Sequence, residues 1–368
     1  MKNNPRIAFF SGGSALKDFC SELKKYTTQS VHIITVYDSG GSSAELRRYF
    51  DMPSIGDLRN RMLALQELKS ENDNKINELL NYRLSQTGEF LELIAKIDRI
   101  ITNKDWLIKD VDDKRIDDIR FYLKTFRENI DQDFDLRNAS LGNLVITGIY
   151  LYEAGDLMEA IRIFGELLNI KGKVIPVSKH NLNLVAVLQN GRVIDAQHKL
   201  TGKVKKPINS PVKGIFLADK NGIPKKVSAS NKAIEQIEKA DLICYPMGSF
   251  YSSVLVNLKH ERISQAIKKN PSPKIYIPNL FKDPELWGKT INQTVNEILR
   301  TLRCGKNEVS KCLNAMILHE DTNKYHQKIK LKAIEELGIK MIKTKLIDSE
   351  LTNKFNNKNL LRTLKSLI

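Results

Sequence analysis

The chain has 368 residues, 59 of them Lys or Arg against 43 Asp or Glu, which gives a formal net charge of +16 with 41% hydrophobic and 28% charged residues. Such proportions fit a globular chain long enough for a large core and exclude a disordered or membrane one. No run approaches the ~18 apolar residues of a membrane span, and Met1–Pro5 leads into a strand with no apolar leader, so a cytoplasmic protein with no membrane partner is expected.

The basic excess is spread along the chain, and no concentrated basic face with interleaved aromatics stands out, so no nucleic-acid partner is expected. Either a general drift toward lysine or an electropositive site for anionic ligands explains it. Cys20 and Cys244 lie in apolar patterns, and Cys304 and Cys312 are eight apart, which is no common zinc spacing.

Strand-like runs alternate with helical patterns at both ends, the rhythm of parallel βαβ units. A strand is predicted over 6–10, a helix over about 15–26 and a second strand over 31–37. A short helix at 44–50 is broken by Met52-Pro53-Ser54-Ile55-Gly56-Asp57, and another helix begins near Leu58. Leucines and isoleucines then recur at helical spacing in a charged stretch free of strand signals, which predicts a helical subdomain over 58–135 inserted in a single α/β domain spanning 1–368. Helices are predicted over 141–152 and 157–168, and strands over 174–177 and 184–188. Gln189-Asn190-Gly191-Arg192 reads as a two-residue hairpin turn into Val193-Ile194. A helix from Ser230-Asn231 to 239, strands at 241–245, 274–277, 315–318 and 340–345, a helix up to 337 and a last one at about 359–367 complete the series.

Three strand-to-helix junctions are rich in glycine and hydroxyl groups. Glycine lets the backbone approach an anion and turn its N–H groups toward it, and a helix starting just beyond adds free N–H groups and the positive end of its dipole. The first is Ser11-Gly12-Gly13-Ser14, which fits neither G-x-G-x-x-G nor G-x-x-x-x-G-K-[ST], so a tight turn and a phosphate contact both remain open. The second, Asp38-Ser39-Gly40-Gly41-Ser42-Ser43, sits where a strand ends, the edge at which open α/β sheets bind ligands. Asp38 could cap a turn, but a cap does not call for Gly-Gly flanked by serines. In Gly56-Asp57-Leu58-Arg59-Asn60, Asp57 reads as an N-cap or a ligand group, and Arg59 as a phosphate holder or the partner of a surface carboxylate. The third junction is Tyr245-Pro246-Met247-Gly248-Ser249-Phe250-Tyr251-Ser252-Ser253.

These segments, with Gly142-Asn143-Leu144 and Asn279-Leu280, stand in an order that resembles the CofD-like family, which holds 2-phospho-L-lactate transferases and YvcK-like gluconeogenesis factors. The likeness covers nearly the whole chain. Gly12-Gly13-Ser14-Ala15 replaces the family's longer first loop, Met247 stands in its Pro-Gly-Ser, and Phe281-Lys282-Asp283-Pro284-Glu285 replaces Met-Thr-Gln-Gly-Glu-Thr, which marks a divergent branch. The resemblance implies a three-layer α/β/α, Rossmann-like parallel sheet with a helical elaboration. One branch moves a phospholactyl group from a lactyl-diphosphoguanosine donor to a deazaflavin alcohol with magnesium and releases GMP. The other binds UDP-sugars and acts in carbon metabolism and cell-shape control. Transfer from a nucleotide-diphosphate donor is the first reading, a non-catalytic UDP-sugar-binding regulator its alternative, and a basic adaptor with purely structural loops the third. A homodimer is expected from the resemblance alone.

Applied to this chain, the resemblance implies amides of Gly12, Gly13 and Ser14 on one phosphate, and Gly248, Ser249, Tyr251, Ser252 and Ser253 around a second phosphate or the nucleotide. Ser39, Gly40, Gly41, Ser42 and Ser43 would line the same ligand. Asp38 and Asp57 are the expected magnesium ligands or acceptors of the alcohol proton. Arg59 and Asn60 would orient a phosphate oxygen, with Asn143 and Asn279 beside the pocket. None of the six histidines falls in these loops, so no phosphohistidine is expected.

Overall fold

The β-branched runs form strands buried on both faces, as a sheet covered by helices on either side requires. In the computed structural model the described residues are 3–109, 111, 113–202, 207–347 and 354–368. Met1 and Lys2 of the expected lead-in, and positions 110 and 112 of the predicted helical stretch, lie outside them. The first strands are β1 (Ile7–Ser11), β2 (Val31–Ile34) and β3 (Lys173–Pro176), followed by β4 (Asn183–Leu188), β5 (Val193–Ile194), β6 (Val212–Ala218) and β7 (Pro224–Lys225). Then come β8 (Leu242–Tyr245), β9 (Lys274–Tyr276), β10 (Ala315–His319) and β11 (Lys340–Thr344).

Seven of these form a parallel sheet in the order β11-β10-β9-β8-β1-β2-β3. The chain winds outward from β1 through β2 to β3, then returns to lay β8 on the other side of β1. The β1/β8 boundary is therefore the point at which strand order reverses, where open α/β sheets leave a crevice at their carboxyl edge. The fold is α/β with helices flanking the sheet.

A second, antiparallel sheet has the order β5-β4-β6-β7. Its β4–β5 hairpin falls where the Asn190-Gly191 signal predicts one, but the turn has three residues rather than two: the Leu188 N–H donates to the Arg192 carbonyl, and Gly191 takes the left-handed φ of +86° while Asn190 does not. Strands β6 and β7 carry no expectation from the sequence pattern. Strand β2 ends at Ile34 rather than residue 37, and the Val36 carbonyl accepts instead from the Ser54 N–H.

Helix α1 (Lys17–Tyr26) follows the first junction, and α2 (Gly41–Phe50) and α3 (Gly56–Leu65) follow the second. Both α2 and α3 start two or three residues earlier than predicted, which puts Ser42, Ser43 and Asp57 in first helical turns. Helix α3 packs on α1, β2 and β3. Beyond it lie α4 (Glu71–Asn81), α5 (Phe90–Ile101), α6 (Lys114–Glu128), α7 (Leu141–Tyr152) and α8 (Leu157–Leu167). Helix α4 opens with a Ser70/Asp73 capping box. Helices α6 and α7 run close together because Gly148 faces the Tyr122 carbonyl, which any β-carbon at 148 would overlap. Gly148→Ala must push α6 from α7, and the expected loss is about 1–3 kcal/mol of unfolding free energy by denaturant titration, the usual cost of overpacking.

Candidate functional site

The loops after β1, β2, β8 and β9 all leave the same edge of the parallel sheet, and glycine governs how closely they meet. Gly12 and Gly13 are buried. A β-carbon at Gly13 would lie 2.7 Å from the Asp57 Cα and 2.8 Å from its carbonyl oxygen, so the first loop rests directly on the backbone that starts α3. One at Gly12 would lie 2.6 Å from Ser253 Oγ and 3.0 Å from Asp57 Oδ2. One at Gly56 would lie 2.5 Å from Ser43 Oγ and 3.5 Å from Asp38 Oδ2. Asn143, at the start of α7, donates from Nδ2 to Ser42 Oγ at 3.0 Å. A β-carbon at Gly248, whose φ is +139°, would lie 2.9 Å from Ala15 Cβ. One continuous rim thus brings together Gly12, Gly13, Asp38, Ser42, Ser43, Asp57, Asn143, Gly248 and Ser253. Ser14 is exposed, and beside it a cavity of about 790 Å³ is lined by Gly13, Ser14, Lys17 and Asn60 among others.

The second junction is partly tied elsewhere. Asp38 Oδ1 accepts the Gly40 N–H at 3.1 Å, a local turn that orients the carboxylate. Ser39 Oγ pairs with His198 Nδ1 at 2.9 Å, which fastens it to the segment following β5. Gly41, at φ +55°, leaves open space where a side chain would stand.

Arg59 is buried rather than displayed. Its guanidinium donates to Ser140 Oγ and, at 2.7 Å, to Asn60 Oδ1, while its stem lies against Gly142. Burial pushes its pKa down to about 10, with Arg83 adding to the effect and Asp57 opposing it. Arg59 Nε is buried with no hydrogen-bond partner. Arg61, which sequence reading passed over, is fully buried under the first loop, where it donates to the Gly12 carbonyl at 2.8 Å and to Cys20 Sγ at 2.9 Å. The signal available was spacing alone: two residues past Arg59 on α3, a charge on the face turned inward.

At the third junction the structure departs from expectation. Asn279 Oδ1 accepts the Gly248 N–H at 2.8 Å, and its Nδ2 donates back to the Gly248 carbonyl at 2.6 Å. The N–H of Phe250 donates to Asp283 Oδ2 at 2.9 Å, and those of Tyr251 and Ser252 donate to Glu285 Oε2 at 2.7 and 2.9 Å. The Ser252 hydroxyl donates to the other oxygen of Glu285. Donors expected to face a ligand phosphate are thus held by two carboxylates of the chain itself. Ser249 and Ser253 are the serines of this junction whose hydroxyls lie outside that network, while the Tyr251 hydroxyl donates to Glu297 Oε1 at 2.8 Å, away from the expected ligand. The sequence signal for Asp283 was the Asp-Pro pair, which reads as the N-cap that it also is, since Asp283 accepts the Glu285 N–H at 3.0 Å. Its reach back to residue 250 carries no local signature.

Asp38 Oδ2 lies 3.5 Å from where a β-carbon at Gly56 would stand, and Asp57 is the next residue of α3. No group of three or more His, Cys, Asp or Glu side chains among the described residues could enclose a metal. Magnesium commonly takes one or two carboxylates and completes its shell with water and substrate phosphate, and this donor pair fits that pattern.

The profile of the family described as "2-phospho-L-lactate transferase CofD" matches residues 7–347. The chain belongs to the CofD family. Within that family it is 25% identical over 357 residues to the gluconeogenesis factor of Bacillus subtilis, covering 94% of this chain and 92% of that one. It is 27% identical over 301 residues to the gluconeogenesis factor of Halalkalibacterium halodurans, covering 81% and 74%. The CofD fold also matches the crystal structure of a UPF0052 family protein from Bacillus halodurans, with a TM-score of 0.73, 23% identity and coverage of 100% and 99%. No helix among the described residues is long and apolar enough to cross a membrane.

The buried carboxylates set a pH dependence. Burial raises both Asp283 and Glu285, and the Asp283 charge raises Glu285 further, against the hydrogen bonds that favour ionisation. Above the ordinary glutamate value of 4.5, the folded protein keeps a proton that the unfolded chain has lost, so stability falls as pH rises from there toward the raised native value. Glu285→Gln should flatten that fall, as read from denaturant midpoints at about pH 5 and about pH 7; an unchanged slope would show that Glu285 titrates normally.

Proposed function

We propose that this protein binds a nucleotide diphosphate in the β1/β8 crevice and serves as a UDP-sugar-binding regulator of the gluconeogenesis-factor kind. The observation that carries the reading is the contact of Gly12 and Gly13 with Asp57 and Ser253 at the strand-order reversal, which joins three glycine-rich segments in one rim. Backbone amides in such a place are suited to a pyrophosphate. The buried Arg61 guanidinium behind the loop adds positive potential without competing for the ligand's position. Two points favour the regulator over turnover. Gluconeogenesis factors match over nearly the full length, and internal carboxylates take the amides that a second phosphate cradle would need.

A transferase reading has one observation in its favour, the two carboxylates near Gly56. In that reading one of Asp38 and Asp57 would hold a magnesium ion, which would supply positive charge to phosphate oxygens. The other would accept the proton of the alcohol as its oxygen bonds to the phosphorus of the phospholactyl-type group and the bond from that phosphorus to the nucleotide phosphate breaks. The remaining residues position the donor, which is most of what phosphoryl chemistry asks of a protein.

A thermal-shift panel of UDP-sugars, GDP, GMP and a deazaflavin, each with and without magnesium, separates the readings. Stabilisation by UDP-sugar alone is the expected outcome; GDP acting together with a deazaflavin would favour the transferase, and no response to any nucleotide would sink both. Asp38→Asn should abolish the response while the protein stays folded by circular dichroism. Ser249→Ala with Ser253→Ala should cost about 1–3 kcal/mol of binding in calorimetry, the range for hydrogen bonds to charged groups. Ser252→Ala should instead lower the melting temperature and leave affinity unchanged, because its partners are Glu285 oxygens.

A further inference from the structure

A cavity of about 750 Å³ opens between β6, the helix Ile263–Lys269 and the helix Ile291–Thr301, and shares none of its lining with the rim loops. A smaller one of about 270 Å³ adjoins it through Lys213, Glu297 and Arg300, and brings in Lys289 and Gln293. We propose that this composite cavity is a second ligand site, for a small phosphorylated polyol of the sugar-phosphate class.

The cations come first. Lys213, Lys259 and Arg300 line the larger cavity, and none has an ion pair or side-chain hydrogen bond among the described residues. Partial burial and the neighbouring Arg300 charge lower the Lys259 ammonium below its ordinary value, while Glu297 works against them. Glu261 and Glu297 share the lining but neither forms an ion pair with these three cations, and an anion between the cations reduces their mutual repulsion. The remaining lining narrows the anion's chemistry. Glu297 is buried and accepts Tyr251 OH at 2.8 Å and Lys289 Nζ at 2.6 Å on Oε1, while its Oε2 is buried without a partner. That oxygen can accept from a ligand hydroxyl and would repel a phosphate. Ile215, Leu255 and Leu258 supply an apolar wall for a carbon skeleton, and open space stands where a side chain at 214 would be. A ligand with phosphate at its ends, hydroxyls between them and a short carbon chain meets all three demands. The volume is that of a small-molecule pocket, well below what an extended polyanion needs. The Tyr251–Glu297 bond also places the ligand one side chain away from the third junction.

Isothermal titration of the full chain with fructose 1,6-bisphosphate, fructose and inorganic phosphate tests the site. The bisphosphate should bind, free fructose should give no heat, and phosphate should bind at least about tenfold more weakly. Lys213→Ala with Arg300→Ala, both at exposed positions, should raise the bisphosphate Kd about tenfold or more. Asp38→Asn should leave that Kd unchanged, and the UDP-sugar response of each sample, read separately, keeps a failure at the rim distinct from a failure here. No heat with the bisphosphate, equal affinity for phosphate, or a Kd unmoved by the double substitution would each overturn the proposal. So would loss of bisphosphate binding in Asp38→Asn alone, which would put the sugar phosphate at the rim.

Discussion

The missing β-carbons at residues 12 and 13 are the constraint on which the rest depends. With any other residue at 13, a side-chain atom would sit 2.7 Å from the Asp57 Cα, and neither backbone could keep its course. Because the loop after β1 lies flat on the start of α3, that helix can press against α1, β2 and β3 and fix the position of Asp57. The same device recurs outward. Gly56 admits Ser43, and Gly142 lets the Arg59 stem pass beneath α7. Each glycine marks a place where two segments run closer than side chains permit, and together they connect junctions that are far apart in sequence but share one sheet edge.

Charge on this scaffold is arranged in layers. Arg61 lies fully buried beneath the first loop, with a carbonyl, a thiol and a hydroxyl as partners rather than a carboxylate. Its field, after burial itself, helps keep the neighbouring His32 well below its ordinary pKa, and that ring stacks on Phe9 as a neutral core group. An inward-facing guanidinium without a carboxylate is costly in a low-dielectric interior, and an anion resting on the outer side of the loop would offset part of that cost. Arg59, with one nitrogen unpartnered, repeats the pattern at the start of α7. The surface excess of lysine says nothing about this; Arg59 and Arg61 are both hidden from solvent.

Much of the parallel sheet was legible because strands covered on both faces read as unbroken apolar runs, as in Ile7 to Phe10 and Leu242 to Tyr245. The glycine-rich junctions were legible for the same reason: few other residues can follow a strand so tightly. What escaped was non-local. Strand β6 holds Lys213 and Gly214 near its start, and its pairing with β4 crosses a register shift, so no clean alternation announced it. The helices start at Gly41 and Gly56, earlier than the pattern implies, because serine, glycine and aspartate favour turns in isolation and tertiary packing overrides that preference. Arg59 was expected at the surface or on a phosphate; its depth follows from Gly142, eighty-three residues on, which no local pattern links to it.

The departure at 281–285 shows what such a substitution of motif does physically. A helix that begins after a parallel strand leaves several N–H groups without intrahelical acceptors, and something negative must take them. Here Asp283 and Glu285 do so from a separate loop, with Asn279 holding Gly248 in place beside them. Burying two carboxyls near each other is unfavourable, which is why both sit above the ordinary range; the amide donors, the Ser252 hydroxyl and the Asn279 amide offset that cost. The consequence reaches the rim. With those amides satisfied internally, the β8 side has none of the Phe250, Tyr251 and Ser252 N–H groups left to offer. In this chain it is the loop after β9, rather than the third junction's own residues, that decides which donors that side of the rim presents.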